Sequence, residues 1–270
     1  MPRNTQYRQP AGAVSVGLRR LKSLFRGTAS QGPTFMIVGA MKAGTSTLHA
    51  TLAQHPEIFM TKPKELHAWD MPTPPPVDSY HMHFERGRGF AIRGESTPSY
   101  AYHPGTMERL ARYNPGLKLI FIMRDPVKRA ISHINHSVRL RRLPEKDLFG
   151  ELLADQRDMS RLDVKPFRQS PYGYHARGLY HLQISRMRRF FDATQIHMLR
   201  LEDFTEAPQE ELDRICDFLG ATRQSLEVTS KGVKKYDPAP PELISYLSTC
   251  YRLPNRILAE DFGVKTDDWL

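Results

Sequence analysis

The stretch FMIVGAMKAGTSTLHATL, residues 35–52, constrains the fold more than any other part of the sequence. It begins with a continuous apolar run rich in β-forming residues, passes through a turn that contains glycine, and ends with leucines at helical spacing. This order predicts a buried parallel strand, a tight turn and a helix. The N–H groups of the turn and of the helix N-terminus then point to one place, which can bind an anion.

Two further segments repeat the alternation of strand and helix. Residues 117–126, LKLIFIMRDP, predict a second buried strand that ends at Arg124, and VKRAISHINHSVRLRR predicts the next helix, with Pro126 suited to its first turn. QIHMLRLEDF predicts a third strand, and PQEELDRICDFLG predicts a helix that ends at Gly220. We therefore expect a single α/β domain with a central parallel sheet flanked by helices and a P-loop-like nucleotide-binding topology.

The other segments predict local structure only. DMPTPPPVD, residues 70–78, predicts a loop, residues 143–163 predict a helical excursion, and residues 240–263 predict a pair of helices. In residues 1–32 the basic residues follow a short apolar stretch, which is the reverse of a signal peptide. This tail fits either a loosely ordered segment or a basic amphipathic helix on a membrane, so we expect the folded domain to cover residues 33–270.

The composition favours an anionic partner. Lys and Arg number 39 against 29 Asp and Glu, which gives a formal charge of +10. A nucleotide, an acidic polysaccharide, nucleic acid and a membrane surface all fit this charge. The basic cluster of Arg139, Arg141 and Arg142 predicts a solvated helix face. The sequence has no run of 18 apolar residues, and neither Cys216 nor Cys250 lies in a metal-binding pattern, so we expect no membrane-spanning helix, disulfide framework or structural zinc.

The glycine-containing turn differs from the phosphate loop of nucleotide hydrolases. Gly39 and Gly44 have the expected separation, but Lys42 lies inside the turn and Thr45 follows Gly44 directly. Hydrolases also hold magnesium with an acidic residue at a second strand end, where this sequence has Arg124. These residues favour a nucleotide whose phosphates are neutralised by the protein without a metal. A nucleotide kinase or NTPase, and a basic nucleic-acid-binding protein, remain the alternatives.

Two motifs resemble those of the sulfotransferases that use 3′-phosphoadenosine 5′-phosphosulfate (PAPS). KAGTST, residues 42–47, resembles their 5′-phosphosulfate loop. RDPVKRAISH resembles their 3′-phosphate motif, in which an Arg ends a strand and a Ser follows eight residues later on the next helix. The resemblance implies that PAPS is bound, without a metal, by Lys42, Ala43, Gly44, Thr45, Ser46, Thr47, Arg124 and Ser132.

Within that superfamily the sequence is most similar to the heparan sulfate glucosaminyl 3-O- and N-sulfotransferase type and to bacterial relatives of these enzymes. The resemblance rests on KELHAWD, GESTPSY, GLYHLQISRM and SKGVKK, and it runs from about Pro33 to the C-terminus. It implies that Glu65 is the catalytic base beside His67 and that Lys42 stabilises the leaving group. Further cofactor contacts implied in this way are Tyr180, Lys231, Gly232, Val233 and Lys234.

Two departures from the heparan enzymes leave the acceptor open. Ser96 stands where they have a substrate-binding Lys, and Val233 stands where they have an Arg. The resemblance implies transfer of a sulfuryl group to a hydroxyl, or alternatively an amine, of a carbohydrate or a glycosylated or lipid-like metabolite. Glu65, His67, Asp70 and Ser96 would face this acceptor, and no nucleic acid is expected as a partner. Because no N-terminal membrane anchor is visible, we expect a cytoplasmic enzyme of bacterial type, of open oligomeric state.

Overall fold

The computed structural model describes residues 32–140, 152, 173–228 and 238–269. Strands β1 to β5 cover Phe35–Gly39, Ile58–Met60, Ile92–Ser96, Lys118–Met123 and Ile196–Arg200. Helices α1 to α8 cover Thr45–Leu52, Val77–His81, Thr106–Tyr113, Pro126–Arg139, Tyr180–Arg188, Leu201–Glu206, Pro208–Leu219 and Pro241–Phe262. The predicted tail, apart from Gly32, and the predicted excursion at 143–163, apart from Leu152, lie outside the described residues.

The strands form one parallel sheet in the order β2-β3-β1-β4-β5. The central strand β1 is buried at every residue, and β4 is buried at all but its first, which is why both appear in the sequence as unbroken apolar runs. Met36 and Val38 belong to one core cluster, whereas Phe35 and Ile37 belong to another. Since successive residues of a strand point to opposite faces, helices cover both faces of the sheet. The predicted fold class is confirmed.

Three helix ends follow from identifiable residues. Helix α1 begins after Gly44, which has a left-handed φ of 95°, and an added Cβ there would lie 2.6 Å from the end of the Leu201 side chain. Helix α4 begins at Pro126, and the Asp125 carboxylate caps it by accepting from the Val127 N–H over 2.8 Å. Helix α7 ends at Gly220, as predicted, with a φ of 82°.

Two predicted elements had the wrong extent. The third predicted strand stops at Arg200, and the residues after it form helix α6, in which Glu202 and Asp203 occupy the first turn. Acidic side chains favour a helix N-terminus, and this local preference outweighs the apolar pattern. The predicted Pro-rich loop likewise ends at Pro76, because α2 begins at Val77.

The predicted pair of C-terminal helices is wrong. Helix α8 continues from Pro241 to Phe262 with Pro254 in its interior. Its buried residues Leu247, Tyr251 and Leu258 lie on both sides of this proline at helical spacing. The continuous apolar stripe therefore holds one helix together across a residue that usually ends one.

Candidate active site

Lys42 and Arg124 lie side by side at the carboxyl edge of the sheet. Lys42 follows β1, Arg124 follows the neighbouring strand β4, and Arg124 Nη1 donates to the Lys42 carbonyl oxygen over 3.4 Å. The Tyr180 hydroxyl donates to the Arg124 carbonyl oxygen over 2.7 Å. Tyr180 is buried and packs edge-on against Phe121. Its position supports a role in fixing Arg124, a different role from the direct cofactor contact that the resemblance implies.

The N-terminus of α1 supplies hydrogen-bond donors at the same edge. The first bond of this helix runs from the Leu48 N–H to the Gly44 carbonyl, so the N–H groups of residues 45–47 have no acceptor within the helix. The Ala43 N–H, in contrast, donates to the Ala40 carbonyl over 3.1 Å, and Ala43 is fully buried. Ala43 therefore shapes the turn, whereas the N–H groups of residues 45–47 are the kind of donors that bind an anion at a helix N-terminus.

Positive charge accumulates around Lys42. Burial lowers the pKa of the Lys42 ammonium, and Arg139, Arg124 and Arg129 lower it further, whereas Glu65 raises it. Arg139 is exposed at the end of α4 but still contributes to this field. Arg141 and Arg142, predicted to share its helix face, lie outside the described residues. A site with this many cations around one carboxylate is suited to an anion.

Arg129 contacts the turn after β1 and was not predicted from the sequence. Its side chain is fully buried, and its guanidinium donates to the Met41 carbonyl in the turn after β1 over 3.5 Å and to the Tyr174 carbonyl. It lies three residues before Ser132, which is half-buried on the same helix. This i, i+3 spacing, which places both side chains on one face of α4, is the signal that would have identified Arg129.

A second group of side chains follows β2. The Glu65 N–H donates to the Ser96 carbonyl over 3.0 Å, which ties this segment to the end of β3. Lys64 Nζ lies 2.5 Å from Glu65 Oε1, and His67 Nε2 lies 3.6 Å from Glu65 Oε2. On its other side, His67 Nδ1 lies 2.8 Å from Asp70 Oδ2. His67 is therefore placed between two carboxylates.

This arrangement shifts both pKa values. Burial acts to raise the pKa of Glu65, but its contacts with His67 and Lys64 outweigh burial and lower the pKa to about 2. Burial acts to lower the pKa of His67, but its contacts with Asp70 and Glu65 outweigh burial and raise the pKa to about 9. At neutral pH, Glu65 is thus a carboxylate and His67 an imidazolium.

The three residues predicted to be catalytic share a strained backbone. Lys42, Glu65 and His67 have φ angles of 70°, 64° and 51°, and no other non-glycine residue described in the chain has a positive φ. L-residues adopt this region at a cost, and such strain concentrates at functional sites. The backbone geometry therefore singles out the same three residues independently of their chemistry.

Asp70 and Ser96 are buried and contact the neighbouring residues His67 and Glu65. The Asp70 side chain has no exposed surface, and its Oδ2 also accepts from the Ser99 hydroxyl. Ser96 is fully buried and reaches Glu65 through its backbone carbonyl. In this conformation Asp70 contacts His67 and Ser96 contacts Glu65. The acceptor contacts implied for both residues stay predictions. The predicted cofactor residues Lys231, Gly232, Val233 and Lys234 lie outside the described residues.

Replacing Asp70 by asparagine is expected to lower the pKa of His67 toward 6.5, because the contact with Asp70 is the largest effect that raises it. Because the pKa of His67 is higher in the folded protein than in the unfolded chain, its proton stabilises the fold. This contribution is complete below pH 6.5, the pKa of the unfolded chain, and is lost as the pH rises through about 9. Titration of the His67 imidazole by NMR measures the shift. Asp267→Asn, at an exposed position, is the control, and an unchanged His67 titration in Asp70→Asn would contradict this account.

The model of the sulfotransferase domain matches residues 33–236. The chain belongs to the sulfotransferase family. A solved family member, the sulfotransferase from Alicyclobacillus acidocaldarius, is 28% identical and superposes with a TM-score of 0.76 over 88% of this chain and 98% of that chain. A second structure, the sulfotransferase domain of the Synechococcus PCC 7002 olefin synthase, shares the fold at 18% identity and a TM-score of 0.55.

Curated members of the family are longer. Membrane-associated sulfotransferase kil1 from Dictyostelium discoideum is 25% identical over 84% of this chain and 64% of its own length. Human heparan sulfate glucosamine 3-O-sulfotransferase 3B1 is 29% identical over 75% of this chain and 50% of its own. The predicted resemblance to this family is confirmed, and the chain spans about half to two thirds of these relatives. Among the described residues, no helix combines the length and apolar character that a bilayer crossing requires, and no metal-binding cluster of His, Cys, Asp or Glu occurs.

Proposed function

We propose that this protein is a PAPS-dependent sulfotransferase that transfers a sulfuryl group to an acceptor hydroxyl. The observation that carries the proposal is the convergence of Lys42, Arg124 and the N-terminus of α1 at one edge of the sheet. Cationic side chains and N–H groups suit a ligand that carries two phosphates. The family match over residues 33–236 supports the same reading.

The binding groups divide between the two ends of the nucleotide. The N–H groups and hydroxyls of residues 44–47 would hold the 5′-phosphate, because they follow the central strand β1. Arg124 and Ser132 would hold the 3′-phosphate, because Arg124 follows the neighbouring strand β4 and Ser132 lies on the next helix, α4. Residues 231–234 would close over the phosphates, as the resemblance implies.

The chemistry that follows needs a cation and a base. PAPS, when bound, supplies the sulfuryl group and a 5′-phosphate as leaving group. Lys42 would stabilise the negative charge that grows on the bridging oxygen as its bond to sulfur breaks. Glu65 would accept the acceptor's proton as the new bond between sulfur and the acceptor oxygen forms. The products are a sulfate ester and 3′-phosphoadenosine 5′-phosphate (PAP).

Glu65 is a weak base in the free protein, because its pKa is about 2. An acceptor hydroxyl that replaces Lys64 at Oε1 would remove one of the two cations that lower this pKa. Proton transfer is most efficient when the pKa of the base approaches the working pH. Binding of the acceptor would therefore activate Glu65, and His67 would keep the carboxylate oriented through Oε2.

A carbohydrate, or a glycosylated or lipid-like metabolite, is the proposed acceptor class. Relatives named for heparan sulfate glucosamine support a sugar, but Ser96 and Val233 depart from the heparan pattern, so we do not carry over heparan sulfate itself. A screen of acceptors with labelled PAPS would identify the substrate. The cytoplasmic location stays a prediction from the sequence.

Calorimetric titration with PAP tests the assignment of the cofactor. The wild type is expected to bind PAP, and Arg124→Ala is expected to bind it about 10- to 100-fold more weakly, as fits the loss of hydrogen bonds to a charged group. Adenosine 5′-phosphate should bind both proteins equally, because it lacks the 3′-phosphate assigned to Arg124. Arg112→Ala, which removes an exposed arginine of α3 paired with Glu108, is the control. PAP binding that is unchanged in Arg124→Ala would refute the assignment.

A further inference from the structure

Two arginines bind consecutive carbonyl groups of the turn between β1 and α1. Arg129 Nη1 donates to the Met41 carbonyl oxygen over 3.5 Å. Arg124 Nη1 donates to the next carbonyl oxygen, that of Lys42, over 3.4 Å. The proposed reaction uses Arg124 and Lys42 directly, but it assigns no role to Arg129.

These two hydrogen bonds fix the peptide groups on both sides of the Lys42 Cα. A peptide group is planar, so the direction of its carbonyl also sets the backbone dihedral angles next to it. The Met41 carbonyl belongs to the peptide group before the Lys42 Cα, and the Lys42 carbonyl belongs to the one after it. Arg129 and Arg124 together therefore determine the direction in which the Lys42 side chain leaves the backbone.

The backbone of Lys42 needs this support because it is strained. Its φ of 70° lies in the left-handed region, and such a conformation persists only where the surrounding structure fixes it. One hydrogen bond closes the turn from within, because the Ala43 N–H donates to the Ala40 carbonyl over 3.1 Å. In the described part of the chain no backbone N–H donates to the Met41 carbonyl, so Arg129 supplies its hydrogen bond from outside the turn.

Arg129 is itself held firmly. Its side chain is fully buried, its second Nη donates to the Tyr174 carbonyl, and its backbone N–H donates to the Asp125 carbonyl over 2.9 Å in the first turn of α4. The planar guanidinium donates to two carbonyls in fixed directions, which the single ammonium of a lysine does not reproduce. Because its side chain has no exposed surface, Arg129 acts on the site through Met41.

We propose that Arg129 is a positioning residue, whose buried guanidinium holds the Met41 carbonyl and thereby directs Lys42 toward the leaving oxygen. The inference goes beyond the assigned cofactor contacts and rests on the proposed function only for what Lys42 does in catalysis. Its structural part, the link from Arg129 to the turn, can be tested without any substrate.

Amide hydrogen exchange of Ala43, whose hydrogen bond closes the turn, tests this link. The protection of this amide relative to the Ile120 amide in β4 is expected to be about tenfold lower in Arg129→Lys than in the wild type, as fits the loss of one hydrogen bond. Arg112→Lys, the same substitution at an exposed position of α3, should change nothing. Equal protection of Ala43 in Arg129→Lys and the wild type would overturn the proposal.

Turnover of double variants, once an acceptor is known, separates positioning from general destabilisation. Arg129→Lys is expected to lower kcat about tenfold in the wild type and in Glu65→Gln. In Lys42→Ala it should have no further effect, because no ammonium remains to be directed. The KM for PAPS should change less than kcat. Equal losses in all three backgrounds would show that Arg129 supports only the fold, and would overturn its role toward Lys42.

Two measurements on the wild type keep the outcomes distinct. If Arg129→Lys does not fold, NMR of the wild type gives the structural test, because the Nη–H protons of Arg129 should show nuclear Overhauser effects to Met41. Their absence would overturn the contact. PAP titration tests the proposed function separately. Failure to bind PAP would refute the sulfotransferase assignment, and the exchange and NMR data would still decide whether Arg129 holds the turn.

Discussion

Lys42→Ala is expected to lower the rate of sulfuryl transfer by about 10²- to 10³-fold, the usual cost of losing one group that stabilises charge in the transition state. The leaving oxygen gains its full charge only as the bond to sulfur breaks, so the loss should fall on kcat more than on KM. Single-turnover measurement with labelled PAPS, once an acceptor is known, would give this value.

The surroundings of Lys42 also predict how its removal affects the affinity for PAP. Burial and three arginines lower the pKa of its ammonium, so in the free protein this cation lacks a sufficient counter-charge. A bound dianion would supply it, and PAP affinity should fall less in Lys42→Ala than turnover does. Lys265→Ala, at an exposed position outside the site, is the matched control. Turnover within twofold of wild type in Lys42→Ala would show that the leaving group is stabilised by other residues.

Glu65→Gln is expected to lower kcat by about 10²- to 10⁴-fold, the range that general-base catalysis contributes. Glutamine has nearly the same shape but cannot accept the acceptor's proton. PAP affinity should remain within about twofold of wild type, because Glu65 is not among the groups assigned to the phosphates. Comparison of turnover with PAP titration separates these two effects.

The matched control for this variant is Glu85→Gln, which neutralises an exposed carboxylate paired with Arg88. Lys64→Ala provides a complementary measurement, because removal of the ion pair at Oε1 should raise the pKa of Glu65. The acidic limb of the rate profile should then move to higher pH. If Glu65→Gln turns over as fast as wild type, the base is another residue and the proposed proton transfer is wrong.

The centre of the fold could be predicted from the sequence because its signals are local. Strands β1 and β4 are unbroken apolar runs, and the turns after them carry Gly44 and Pro126 at positions that only a few residue types fill. Lys42 and Arg124 follow these two strands directly. Once the sheet is parallel, their proximity follows from topology alone.

Strands β2 and β3 could not be predicted in the same way. Strand β2 has three residues, and β3 contains Arg93 and Glu95, two charged residues at buried positions. The guanidinium of Arg93 donates to the carbonyls of Gly32 and Phe90. Gly32 is distant in the sequence, and Phe90 lies outside the helices and strands. Such partners exist only in the folded protein, so the local pattern of β3 resembles that of a charged loop.

For the site residues, too, the sequence indicated which residues are involved but not which contacts they make in the folded protein. Glu65, His67 and Asp70 were assigned from a resemblance, whereas their order, with His67 between two carboxylates, required coordinates. Tyr180 and Ser96 were expected at the ligand from the same resemblance. The coordinates add that the Tyr180 hydroxyl donates to the Arg124 carbonyl and that the Ser96 carbonyl accepts from the Glu65 N–H. No pattern in one sequence distinguishes a buried supporting residue from an exposed binding residue.

The left-handed backbone at Lys42, Glu65 and His67 has a consequence for efforts to make this protein more heat-resistant. Glycine adopts such a conformation freely, so glycine at any of the three would relieve strain of about 1 kcal/mol or more. Glu65 and His67 would also lose their ion pairs, but in the described part of the chain Lys42 makes none. A screen that selects on melting temperature alone would thus favour glycine at Lys42, the residue proposed to stabilise the leaving group. Its most thermostable clones would be expected to be catalytically silent.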